Sequence, residues 1–190
     1  MMLTPAVSTG SPAIIMVAGE YFFYFMLYSV LGWGLEGAYN RYTAGTFHKE
    51  GFLKGPYKPM YGFAPLLLLL ARDLHLPWPF MLVLALVIPS AVEYASGWLL
   101  KTAFHRRWWD YSQLPYQLGG HICLKFSLYW WLLSIATLYG LQPLAEWFYS
   151  RIVPLWQLAA PWAALVIASD LLWTCWVRRR GIKIWDLGES

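Results

Sequence analysis

Apolar residues in this chain come in blocks rather than at alternating positions, as at residues 14–18, 66–71, 80–89 and 129–133. Each block sits in a longer stretch with few charges, and such stretches approach the roughly 20 residues that cross a bilayer as a helix. The pattern predicts helices over residues 13–39, 59–71, 80–103, 122–148 and 152–177: an all-α, polytopic transmembrane helix bundle of about five spans. The second helix is short. Thirteen residues rise about 20 Å against roughly 30 Å of hydrocarbon, so it must extend through residues 72–76, thin the bilayer or re-enter. Four spans plus a hairpin loop is the alternative.

Composition strengthens this picture. The hydrophobic share is 59% and the charged share 13%, about half the charge of a soluble domain. Most of the 190 residues are needed for spans, which predicts one integral membrane domain over 1–190, closing with helix 152–177 and a basic tail at 178–190. The first twenty residues hold no Lys or Arg, unlike a secretory signal, so the first helix is expected to be retained. Cys123 and Cys175 lie in apolar segments and are expected to be small buried residues.

Alternating the loops of a five-span chain between two sides sorts the basic residues twelve to two, with only Arg72 and Arg151 on the poorer side. That asymmetry predicts an outside amino terminus and a cytoplasmic carboxyl terminus in the inner (plasma) membrane. Trp78, Trp147 and Trp156 fall near the outer ends, and Trp108, Trp109, Trp176 and Trp185 near the inner ends, as interfacial belts do. Anionic lipid headgroups account for the net positive charge, and no nucleic-acid partner is expected.

The chain also echoes itself. Glu36 is followed by Phe47-His48-Lys49 at the spacing at which Glu93 is followed by Phe104-His105-Arg106, and Pro56-Tyr57 recurs as Pro115-Tyr116. The echo predicts a parallel internal repeat of helices 1–2 and 3–4, with Glu36 and Glu93 equivalent.

Ionisable groups inside a span are costly, roughly 2.5–3.5 kcal/mol each on insertion scales, and so draw attention as functional candidates. Glu36, Glu93 and Asp170 qualify. Each is expected either to face a substrate, ion or proton site in one cavity or to pair with a neighbouring base. Lys125, four residues after His121, is a candidate counter-ion or headgroup ligand, with snorkelling as the plain alternative. Phe104, Trp108 and Tyr111 have the spacing of one helical face and predict an amphipathic interfacial segment. Trp108, Trp109, Asp110, Tyr111, His121 and Lys125 complete the candidate substrate-binding set, with Glu93, Glu36 and Asp110 as the candidate catalytic acids. No phosphate-binding Gly-x-x-x-x-Gly-Lys-Ser/Thr loop, His-Glu-x-x-His or paired Cys-x-x-Cys occurs, so neither ATP hydrolysis by that route nor a familiar zinc site is expected, and no cofactor is predicted.

The segments LGWGLEGAYN, GFLKGPYKPMYGF, VEYASGWLL and FHRRWWDYSQLPYQLGGHICLKFSLYW, in this order, resemble the bacterial CmpB-like family labelled ABC-transporter type IV, over about residues 22–148. Gln117 stands where an asparagine is expected, and Tyr57-Lys58-Pro59 is an unusual form of its loop. The resemblance implies a membrane-transport component for a lipid or small solute, either as a homodimer or with a separate ATPase or membrane partner chain. The buried carboxylates leave two alternatives open: a membrane-embedded enzyme on a lipid or isoprenoid, using acid/base chemistry, and a non-catalytic assembly subunit.

Overall fold

The computed structural model describes residues 11–48 and 50–180; Lys49, Lys183, Trp185 and the tail from 181 onward lie outside the described residues. These residues form helix α1 (Ser11–Ala44), α2 (Pro59–Asp73), α3 (Trp78–Phe104), α4 (Leu124–Ala136) and α5 (Gln142–Arg179), with a two-stranded hairpin of β1 (Gln117–Leu118) and β2 (Ile122–Cys123) ahead of α4. Three helical stretches are long and apolar enough to cross a membrane: Ile14–Ala44, Trp78–Phe104 and Leu124–Arg179.

Local chemistry sets the ends. Gly45, with φ of 75°, closes α1 in the left-handed conformation that glycine adopts without strain. Pro59 occupies the first position of α2, where its missing N–H costs nothing. α3 stops at His105, whose φ is 53°. This breaks the predicted helical face of Phe104, Trp108 and Tyr111. Phe104 and Trp108 pack instead on Phe52, with ring centroids 5.0 and 5.5 Å away, while Tyr111 turns toward Glu93.

α2 and α3 match their predicted limits closely, but the predicted break at residues 149–151 is absent. A π-turn, Thr137–Leu141, joins α4 to α5, and the helical path is continuous from Leu124 to Arg179, so there are four continuous helical segments rather than five. Tyr149 sits inside this helix, packed on Phe23 and Tyr24. The segment is nevertheless not straight. From Gln142, which accepts the Tyr28 hydroxyl, it follows α1 toward its amino end, where the Trp156 indole donates to the Gly19 carbonyl (2.8 Å). It then returns, and Asp170 binds Tyr57, next to the Lys58 amide that donates to Ser29. A straight helix from Gln142 to Asp170 would span about 42 Å, too far for both ends to sit beside one stretch of α1 and its loop. α5 therefore bends back between Gln142 and Asp170, a stretch that holds Pro154 and Pro161.

The core lies where α1, α2, α3 and α5 meet, around Phe23, Tyr24, Leu68, Leu69, Ala85 and Ala145. Gly62 lets α2 approach α1: a Cβ there would lie 2.4 Å from Ser29 Oγ and 2.7 Å from the Phe25 carbonyl. Outward-facing apolar side chains, such as Leu132 at 60% exposure and Trp162 at 70%, suit a lipid surface rather than water.

Candidate functional site

Two carboxylates are brought together from separate hairpins. Glu36, on α1, forms an ion pair with Lys58 and accepts the Tyr61 hydroxyl at 3.0 Å. The Tyr61 ring reaches it because Gly32, one turn earlier on α1, leaves space; a Cβ at Gly32 would fall 2.2 Å from that ring. Glu93, on α3, is only 3% exposed and accepts two hydrogen bonds, from Tyr111 Oη and Trp130 Nε1, each at 2.9 Å. The Tyr61 and Trp130 rings meet edge to face with centroids 5.0 Å apart. Glu36, Tyr61, Trp130 and Glu93 thus form one continuous chain of contacts across the bundle.

A cavity of about 910 Å³ opens along this chain, its wall apolar and aromatic apart from a few polar groups that include Glu36, Lys58 and Glu93. This volume lies near the upper end of the usual range for small-molecule sites. Of the sequence candidates, Glu36, Glu93, Trp108, Trp109 and Tyr111 line it.

The remaining candidates lie elsewhere. Asp110 is exposed; it accepts from the Ser112 amide at 2.9 Å and pairs with Arg107 at 2.7 Å, contacts that hold its carboxyl below the usual range. His121 is buried in the turn of the β-hairpin, where Gly119 and Gly120 take positive φ. Its carbonyl accepts the Trp109 indole at 2.9 Å. Burial, with Arg107 and Lys101 nearby, pushes its imidazole below the ordinary value, favouring the neutral form. Lys125 is exposed, with its ammonium over the Phe126 and Tyr129 rings at 5.8 and 5.9 Å. It pairs with neither Glu36 nor Glu93. Asp170 serves as an anchor, accepting from the Lys54 and Gly55 amides, Tyr57 Oη and Thr174 Oγ1, so α5 holds the loop whose residues form part of the cavity wall.

Sequence reasoning missed Lys58, Tyr61 and Trp130 as partners of the two acids. The Lys58-Pro59 step at the entry to α2 was the available signal, because it fixes a cation at the start of the helix that packs on Glu36. A second missed feature is the clamp at Glu50. Its carboxylate binds Arg106 at 2.6 Å and Arg178 at 3.0 Å, and Arg178 also donates to the Gly51 and Phe52 carbonyls while lying 4.9 Å from the Trp108 ring centroid. This clamp joins the α1–α2 loop, the α3–α4 loop and the carboxyl end of α5. Among the described residues no group of three or more His, Cys, Asp or Glu side chains is placed to hold a metal ion.

The family model described as "Putative ABC-transporter type IV" matches residues 23–175, and the chain belongs to this family of membrane proteins related to ABC transporters. No curated protein and no solved structure matches it. The match extends past residue 148, the limit of the resemblance drawn from motifs, and takes in most of α5.

Proposed function

We propose that this chain is a membrane-transport component whose cargo, a lipid or small solute, occupies the cavity between Glu36 and Glu93. The observation that carries this reading is the cavity itself: two acids from different hairpins share one large, mostly apolar space instead of flanking a compact polar site. Asp110 and His121, which an acid/base reading would recruit, lie outside its wall. The cavity faces the cytoplasm, on the side where Lys54, Arg106 and Arg178 gather, and the carboxyl terminus lies on that side of an inner membrane. The bend in α5 supports a five-crossing path, with α5 contributing the return. The two hairpins α1–α2 and α3–α4, each presenting one acid to the cavity, support the parallel repeat. ATP-driven transport would draw on a separate ATPase chain, since the sequence holds no phosphate-binding loop, and a second copy or another membrane chain would help to enclose the path.

The test is reconstitution. Protein in vesicles, alone and with its cognate ATPase, is expected to move fluorescent lipids or labelled solutes faster than protein-free vesicles do. Rates equal to protein-free vesicles across the whole panel would remove the transport reading.

A further inference from the structure

The acids of the cavity wall are not alike. Glu36 is neutralised by Lys58, and Glu50 by Arg106 and Arg178. Glu93 has no ion-pair partner among the described residues, although it is the most buried of the three. A carboxylate so placed in a membrane protein is costly unless a positive charge or a proton meets it. Its immediate surroundings are aromatic. Tyr111 and Trp130 donate to it, Tyr61 abuts Trp130, and Phe126 stacks on Tyr111 with centroids 4.8 Å apart. All four rings belong to the cavity wall. Tyr111 and Trp130 turn their polar edges to the carboxylate, and the four rings also line the cavity beside it. Such a wall selects a soft organic cation, because the carboxylate and any ring face met by the cargo attract positive charge while the apolar surface accepts a hydrocarbon body.

From this arrangement we infer that the cavity binds an amphiphilic organic cation, a quaternary ammonium or phosphonium with an apolar body, seated with its charge at Glu93 among Tyr61, Tyr111, Phe126 and Trp130. The inference rests on the transport reading for its biological purpose but not for its test. Lys58 reinforces it by neutralising Glu36, as Arg106 and Arg178 neutralise Glu50, which leaves Glu93 as the one wall acid without a cation partner among the described residues.

Equilibrium dialysis of the full-length protein in lipid nanodiscs, with empty nanodiscs as the blank, uses two probes: tetraphenylphosphonium and neutral triphenylphosphine oxide. The cation is expected to bind saturably and at least tenfold more tightly than the neutral compound. Glu93→Gln is expected to lose that preference, and Trp130→Phe to weaken cation binding several-fold. Arg151→Gln, an exposed position outside the cavity whose side chain packs on Trp147, is expected to bind as wild type does. Equal binding of the two probes, or no saturable cation binding, would overturn the inference on the wild-type protein alone, so a variant that fails to fold does not protect it. A Glu93→Gln variant that is monodisperse and keeps full cation preference would overturn it as well. Cation binding with no movement of any lipid or solute in the vesicle panel would leave this inference standing and remove the transport reading; lipid transport without cation binding would do the reverse.

Discussion

Arg178→Ala is expected to destabilise the purified protein by about 3 kcal/mol, a drop of roughly 6–12 °C in unfolding midpoint at 2–4 °C per kcal/mol for a chain of this size. The Arg178 side chain is 5% exposed, and its loss strips Glu50 of one of two cations and leaves the Gly51 and Phe52 carbonyls without their donor. It also removes the guanidinium packed over Trp108. Thermal unfolding followed by tryptophan emission measures the shift. The same clamp has a pH signature. Burial works against the charge on Glu50, but the hydrogen bonds from Arg106 and Arg178 outweigh it and hold the carboxyl below its ordinary value of 4.5. A depressed carboxyl contributes stability above the unfolded value, and that contribution is lost as pH falls through the folded one. Wild type should therefore lose stability below about pH 4.5, and Arg178→Ala should lose less of it on the same acidification. Parallel acid curves for the two proteins would show that Glu50 gains nothing from Arg178.

Lys58→Ala is expected to cost about 2–3 kcal/mol, less than a fully buried pair because the two side chains keep 20% and 25% exposure. It leaves Glu36 charged in the cavity wall with only the Tyr61 hydroxyl as a donor. Glu36→Gln is expected to cost less, since a freed lysine can extend toward the interface. In the double variant Lys58→Ala/Glu36→Gln the acid is gone, so the combined loss should fall short of the sum of the single losses by at least about 1 kcal/mol. Additivity within about 0.5 kcal/mol would mean that the two charges do not interact.

These residues also mark how far the sequence was legible. α2 and α3 were legible because apolar blocks poor in charge set their limits, and Glu36 and Glu93 stood out as ionisable groups inside such spans. The path of α5 was not. Residues 149–151 looked like a loop between two spans, yet in an apolar helix a proline removes one hydrogen bond and bends the axis without ending it. The path consequently turns without leaving the helix, in a stretch that holds Pro154 and Pro161, with Tyr149 helical and buried against α1. The counter-ion was also out of reach: Lys125 shares a hairpin with Glu93, but its exposed position over Phe126 and Tyr129 carries it away, while Lys58 reaches Glu36 from the loop that folds back on Ser29. Local periodicity encodes helices. It does not encode which loop folds over which helix.

The central claim is that Glu36 and Glu93 border a space that holds a ligand. The most direct measurement is an electron cryomicroscopy map of the protein purified in native lipid, at a resolution that defines side chains. The account predicts an elongated density between the Lys58–Glu36 pair and the Glu93 carboxylate, lying against Tyr61 and Trp130. A collapsed cavity, with Glu93 closed onto a lysine or arginine and no space between the hairpins, would contradict it and identify the acids as structural.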